Sequence, residues 1–362
     1  MNSPAEPSDF SDIKENTILV LGATGLMGSL VADLIRKRLP DVRLILGARG
    51  LATNEAKHHR RIDINNRQQL RKVLVDVGCV INAVGPYDYD PTVLLEVCGE
   101  QRSHYVDLAE APEFIDKVKK IGATVCELQD EDDRTGIVTG CSTVPAMIEA
   151  FAHHWSNVEN IDQARIYLAM GSANPVTPAL VYSLLAPLAK RSKSAFTQLD
   201  RRSYGNNNDL TRLFGRYPFA LDTTGLTLWR RVVPATFWIS FDRDFHSQAL
   251  WLAAKILPWI HPRLIKRLCN LAQPFMPFVQ RYGDKQGFLV IEGVDKTNQV
   301  VKEVIIRAEE NGLNVPALPS TWAAEKLLCG GYTGVQDLRD LMNEDEMVES
   351  LEAEGYPVSI RH

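Results

Sequence analysis

The first 150 residues alternate between short apolar runs and longer stretches in which apolar positions recur every three or four residues. Thr17 to Leu21 (TILVL) is an apolar run ending at glycine, the pattern of a strand buried on both faces. Leu26 to Leu39 follows helical spacing. Val42 to Leu46 predicts a second strand, Arg67 to Val77 a helix, Cys79 to Ala83 a strand, Pro91 to Gln101 a helix and His104 to Leu108 a strand. Glu113 to Ile121 reads as helical, Ala123 to Glu127 as a short strand and Gly136 to Gly140 as another. Regular alternation of this kind predicts a parallel sheet with helices on both faces, an α/β fold.

After about Ala150 the rhythm is lost. Ala164 to Ala169 alternates as a strand does, Thr177 to Lys190 reads as helical, and Leu226 to Ser240 holds strand-like stretches. Ser247 to Gln280 is helical with breaks at Pro258, Pro262, Pro274 and Pro277. Phe288 to Val294 and Val300 to Ala308 flank DKTNQ as a hairpin would. Mixed elements without alternation predict an α+β domain. Pro319 to Cys329 is a last amphipathic helix stopped by Gly330 and Gly331, and the acidic stretch after Asn343 reads as a surface helix. The expected organisation is a mobile polar tail over 1–15, a first domain over 16–150, a second over 151–315 and a C-terminal segment over 316–362.

A chain of 362 residues is too long for one ordinary core and suits about two domains. A net charge of -5 argues against a nucleic-acid partner, which selects a basic surplus. The cysteines at 79, 98, 126, 141, 269 and 329 form no CxxC pair and stand at no metal-ligand spacing with histidine. They read as reduced thiols and point to a cytoplasmic protein without a metal. The opening residues lack the basic-then-apolar order of a signal peptide. The most apolar long stretch, Ala249 to Ile260, is too short to span a bilayer and contains Lys255 and Pro258. Together with the residues up to Gln280 it is compatible with a pocket lining, a dimer contact or peripheral contact with a membrane surface, but core packing is the simplest reading.

The strongest motif is Gly22-Ala23-Thr24-Gly25-Leu26-Met27-Gly28, a G-x-x-G-x-x-G turn between a strand and a helix. In that context it predicts a Rossmann dinucleotide site. Gly22 allows the tight turn, Gly25 lets a pyrophosphate reach the backbone, and Gly28 lets helix and strand pack closely. The helix N-terminus then favours the phosphate charge. An NAD site usually places an acid at the end of the second strand, but here that strand ends Leu46-Gly47-Ala48-Arg49. Arg49 is either a partner for a 2′-phosphate or a solvated arginine. The missing acid and the present arginine agree on NADP(H), with NAD(H) less favoured. Arg60 and Arg61 are further basic candidates. Asp63 could flank the adenine or serve as a loop or cap aspartate. Ala83, Val84 and Gly85 end the next strand where backbone groups could meet the nicotinamide ribose, and Tyr87, Asp88 and Tyr89 follow them. An ordinary strand-to-helix turn fits the same residues.

Taken together, GATGLMG, GAR, VINAVGPY, HYVDLAE and TGCSTVP resemble the saccharopine dehydrogenase-like (saccharopine reductase-type) NADP-binding proteins, over about Thr17 to Ala150. NVPALPSTWAAEKLLCGG resembles that family's C-terminal return. The resemblance implies a Rossmann domain, an inserted substrate or dimerisation domain with a mixed sheet, a C-terminal helix packing back on the first domain, NADP(H) and a homodimer. It implies pyrophosphate contacts at Gly22, Gly25 and Gly28, a 2′-phosphate contact at Arg49 and nicotinamide contacts at Val84, Gly85 and Pro86. It also implies that Tyr105, Asp107 and Glu110 line the active cleft. One departure is Val144, before Pro145, where amino-acid-forming relatives carry an acid, so the family name does not supply the substrate.

Hydride transfer asks the protein for orientation, electrostatics and a proton path. Asp107, Tyr105 and Tyr87 are the candidate proton-handling groups, near strand ends. Asp107 also fits a sheet-end or cap aspartate, and His104 reads better as a partly buried structural histidine. No Tyr-x-x-x-Lys, G-x-S-x-G or H-E-x-x-H occurs, which argues against a short-chain dehydrogenase mechanism and against a hydrolase. In the second domain Arg165, Arg230 and Arg231, near Trp229, Phe237 and Trp238, could anchor a substrate carboxylate; alternating burial of a sheet is the plainer reading. The expected function is NADP-dependent hydride transfer with a small C=O, C=N or C=C substrate. The alternative is a non-catalytic dinucleotide-binding or lipid-associated sensor or scaffold.

Overall fold

The computed structural model describes residues 16–54, 57–130, 135–155, 160–189, 198–205, 209–218, 225–228 and 231–361. The tail expected at 1–15 lies outside these residues, as do Trp229 and Arg230. The chain divides into two compact units, Met1–Met147 with Pro316–Leu341, and Ile148–Val315 with Met342–His362.

The first unit is built on strands β1 (Thr17–Leu21), β2 (Arg43–Ala48), β3 (His59–Arg61), β4 (Cys79–Asn82), β5 (His104–Asp107) and β6 (Gly136–Val138), with β15 (Gly334–Gln336) at the far edge. Their order is β3-β2-β1-β4-β5-β6-β15 and every pair is parallel. This is the doubly wound Rossmann order, which reverses between β1 and β4. Every residue of β1 and β4 is buried, as their unbroken apolar runs require. The register aligns Gly47, Leu21, Asn82 and Asp107 in one row at the carboxyl edge.

Helices α1 (Leu26–Arg38), α2 (Arg67–Leu74), α3 (Thr92–Glu100) and α4 (Pro112–Glu127) connect these strands. α4 corrects one expectation, because it runs straight through Ala123–Glu127. The β-branched pair Thr124-Val125 imitates a strand, yet Val118, Gly122, Val125 and Cys126 are buried at i, i+4, i+7 and i+8 of one continuous helical face. The C-terminal helix α10 (Leu318–Leu328) packs against α1, β4 and β5, with Trp322 buried and Arg38 paired to Glu325 at 3.1 Å.

In the second unit, β7 (Gln163–Met170), β8 (Leu199–Tyr204), β9 (Leu210–Arg216), β12 (Ala235–Phe241), β13 (Gly287–Val294), β14 (Val300–Ala308) and β16 (Val358–Arg361) form a mixed sheet, ordered β16-β14-β13-β7-β12-β9-β8. β7 and β12 are parallel and the other pairs antiparallel. Short strands β10 (Leu226–Leu228) and β11 (Arg231–Val233) pair separately. The hairpin β8–β9 was not read from the sequence.

The expected single segment over 316–362 is divided between the two units. α11 (Leu338–Leu341) ends the part in the first unit, while α12 (Glu344–Ala353) and β16 belong to the second. β16 adds to the edge of β14, Lys302 lies 3.4 Å from Glu344, and Arg361 lies 3.4 Å from Glu303. Four strand hydrogen-bonding residues and these ion pairs hold a terminus whose own sequence, VSIR, is too short to show a period.

The stretch from Ser247 to Gln280 folds as α7 (Asp244–Ile256), α8 (Pro262–Ala272) and α9 (Met276–Arg281), broken near the prolines as expected. Core packing holds for only part of it. Ile265 and Cys269 of α8 are buried, whereas Leu264, Leu268 and Leu271 are exposed.

Candidate dinucleotide site

The turn from β1 into α1 has the backbone that its glycines allow. Gly22 sits at φ +76°, in the left-handed region, and its N–H donates to the Gly47 carbonyl at 2.9 Å. A Cβ there would lie 2.7 Å from the Ala83 carbonyl oxygen, so the β1 and β4 ends can approach only at a glycine. A Cβ on Gly28 would overlap the Gly22 carbonyl oxygen. Gly25 caps α1 without a side chain, and the first turn carries no acid. The N–H groups of Leu26, Met27 and Gly28 have no acceptor within the helix. Ala23 donates its N–H to Gly47, and Thr24 and Gly25 are exposed at the tip. The result is an open cradle of donors with the positive end of a helix behind it, which fits a pyrophosphate.

Arg49 is exposed immediately after β2, and no carboxylate pairs with it among the described residues. On β3, Arg60 and Arg61 stand opposite Gly47 and Ala48. Among the described residues of β2, Arg49 and β3, this edge offers guanidinium groups and no acid, which suits a 2′-phosphate rather than a 2′-hydroxyl. Asp63 accepts from the Asn65 N–H at 3.0 Å, and its own N–H donates to Gln69 at 3.1 Å. It shapes the turn into α2, whose cap is Asn66.

A buried polar network lies under the loops that follow β4, β5 and β6. Asn82 is fully buried and donates from Nδ2 to the Tyr89 hydroxyl at 2.7 Å and the Tyr105 hydroxyl at 2.9 Å. Its Oδ1 accepts from the Val84 N–H at 3.3 Å. Tyr105 is also fully buried, and the Asp107 charge acts on its phenol. Asp107 accepts from the Ala109 and Gly140 N–H groups at 2.9 Å each and from the Thr139 hydroxyl at 2.7 Å. Tyr87 is half-buried, donates to the Asn82 carbonyl at 2.9 Å and accepts from the Leu108 N–H at 3.2 Å. Phe114 packs on Tyr87 and Tyr89, with centroids 5.0 and 5.3 Å away.

The electrostatics of this network favour retained protons. Burial, reinforced by the Asp107 charge, pushes the Tyr87 and Tyr105 phenols well above their usual range. Burial also raises Asp107, against the lowering effect of its donors. Tyr87 therefore holds its proton at neutral pH, and that proton is the one donated to the Asn82 carbonyl.

Of these groups, the sequence reading singled out Tyr87, Tyr105 and Asp107 and missed Asn82, Thr139 and Gly140. A polar Asn closing the apolar run CVIN was the available signal for Asn82. His104 accepts the Gly136 N–H at its Nδ1 at 2.9 Å and so braces β6. Glu110 accepts from the Ser142 hydroxyl at 2.6 Å. Val144 is buried in a π-helical turn over Thr143–Met147. In the second unit a recess of about 390 Å³ is lined by Arg165, Tyr167, Arg202, Arg216, Thr236 and Trp238. Arg165 donates there to Asn298 at 2.6 Å and Arg202 to Asp200 at 2.6 Å. Arg231 donates to the Ile161 carbonyl, and Phe237 is buried.

The glycine turn, the strand order and the acid-free basic edge together specify a domain type. Residues 18–139, from β1 to the end of β6, match the family described as the saccharopine dehydrogenase NADP binding domain. The chain carries a saccharopine dehydrogenase-type NADP-binding domain. No curated protein matches the sequence. Among solved structures, apo saccharopine dehydrogenase (L-Glu forming) from Saccharomyces cerevisiae aligns at a TM-score of 0.59 with 11% identity, covering 96% of this chain and 99% of that one. Homospermidine synthase from Legionella pneumophila, in complex with NAD, aligns at a TM-score of 0.62 with 10% identity, covering 96% of this chain and 91% of that one. At such identities the likeness is one of fold. It covers nearly the whole chain.

Proposed function

We propose that the protein is an NADP(H)-dependent oxidoreductase acting on a small C=O, C=N or C=C substrate. The observation that carries this reading is the glycine cradle at the β1–β4 reversal, with the Arg49 guanidinium, paired with no carboxylate among the described residues, at the neighbouring strand end. Gly22, Ala23, Thr24, Gly25, Leu26 and Met27 hold the pyrophosphate, and Arg49 takes the 2′-phosphate. Ala83, Val84 and Gly85 present backbone to the nicotinamide side, while Asp63 stays with its turn near the adenine. The bound cofactor supplies or accepts the hydride. Tyr105 and Asp107 serve as positioning residues: fully buried and hydrogen bonded, they fix the loops that end at Gly85 and Gly140. Tyr87, half-buried and holding its proton, is the candidate proton donor.

A dinucleotide-binding protein without turnover is the second reading. It is favoured by the way Tyr105 and Asp107 are satisfied within the protein. A panel of ketones, imines and enoyl compounds, followed by loss of NADPH absorbance, separates the two. Turnover above background with at least one class supports the enzyme. Background rates throughout, with NADPH binding intact, support the second reading.

A further inference from the structure

Residues 245–283 contain no aspartate or glutamate but include Lys255, Arg263, Lys266, Arg267 and Arg281, in a chain whose net charge is -5. This acid-free segment forms α8, α9 and all of α7 after its first residue, Asp244, and it carries much of the exposed apolar surface of the second unit. Leu264, Leu268 and Leu271 recur at i, i+4 and i+7 on α8, and Leu271 is 70% exposed. Leu252 and Ile256 recur at i and i+4 on α7 and are likewise exposed. Trp259, between the two helices, is 78% exposed.

At about 100° per residue, α8 has three sectors in sequence around its axis. Ile265 and Cys269 face the protein interior. The leucine stripe comes next, and Arg267 and Arg263 follow on its far side, while Lys266 lies beyond them, nearly opposite the leucines. Among the described residues none of these basic groups pairs with a carboxylate. Lys266 sits over the Tyr182 ring at 5.7 Å, and on α7 Lys255 sits over the Trp251 ring at 3.4 Å. Leucines and a tryptophan edged by cations, without an acid in the segment, are complementary to a surface that is apolar inside and anionic outside. A folded core explains Ile265 and Cys269 but not the leucines.

We propose that α8, with the Trp259 turn before it, is a docking surface for anionic lipid bilayers. The helix lies along the headgroup region, with Leu264, Leu268 and Leu271 among acyl chains and Arg263 and Arg267 on lipid phosphates. No helix among the described residues is long and apolar enough to cross a membrane, so attachment is peripheral. This inference does not depend on the oxidoreductase reading.

Flotation of the full chain with lipid vesicles tests it. The chain should float with phosphatidylcholine vesicles containing about a third phosphatidylserine and far less with phosphatidylcholine alone. Partition should fall about fivefold for each of Arg263→Gln and Arg267→Gln, and should weaken with added salt. Leu264→Glu with Leu268→Glu should abolish flotation while leaving the circular dichroism spectrum and NADPH titration unchanged. Flotation that is absent on both vesicle types, or insensitive to the leucine pair, overturns the proposal. A dimer that dissociates in the Leu264→Glu, Leu268→Glu variant, with no vesicle binding by the parent chain, assigns the stripe to a second copy and also overturns it.

Discussion

Gly22 meets two constraints at once, a left-handed backbone and contact with the Ala83 carbonyl, and no other residue type satisfies both. That double demand is why the turn is legible in the sequence: a strand, three spaced glycines and a helix leave few alternative geometries. Arg49 is legible for a different reason, the lack of an acid at a position where the adenine ribose selects one. Replacing Arg49 with Ala removes a charge-assisted contact available only to the 2′-phosphate. The expected result is about a ten- to hundredfold weaker affinity for NADPH with NADH unchanged, read by fluorescence titration. Equal losses for both nucleotides would count against the assignment. Asn82 and Thr139 were missed because their roles exist only through the register of β4, β5 and β6. Apart from the polar end that Asn82 gives the run CVIN, nothing local marks residues whose partners, Tyr105 and Asp107, lie on another strand.

Elements were readable where one period ran long enough to dominate. β1, α1, β4 and the β13–β14 hairpin follow their patterns closely. α4 was misread at its C-terminal end because β-branched residues interrupted the periodicity locally while the buried face continued. β8 and β9 were missed because their alternating residues include Asp200, Arg201, Arg202 and Arg212, so a partly exposed hairpin looks polar throughout. At the start of α3, Asp90 accepts from the Thr92 hydroxyl at 2.5 Å and the Thr92 N–H at 3.0 Å, and lies 3.1 Å from Lys117. The Thr92 hydroxyl foremost, then its N–H and Lys117, lower the Asp90 pKa to about 2 from 3.8. A folded value below the unfolded one means stability that is present above the unfolded pKa and lost as pH falls through about 2. Because Asp90 is exposed, solvent screening limits this to less than about 1 kcal/mol. Thermal unfolding of the parent chain and Asp90→Asn should therefore differ near neutrality and converge as pH falls from 4 toward 2. A difference constant with pH would show that the aspartate charge is not what matters.

At the scale of the whole molecule, two sheets of different character divide the work. The parallel sheet reverses its order between β1 and β4 and so brings Gly22, Asn82, Tyr87 and Asp107 to one carboxyl edge. The mixed sheet buries an aromatic cluster of Tyr167, Tyr204, Phe214, Trp238 and Phe288 and presents the arginine-lined recess. The overall acidic balance hid the acid-free helical segment, whose meaning emerged only with the exposure of its leucines. The account stands or falls on the first sheet. Fluorescence titration of the full chain with NADPH and NADH measures its claim directly. The account predicts saturable binding of NADPH at least about tenfold tighter than NADH. Equal affinity for the two, or binding of neither, would contradict it.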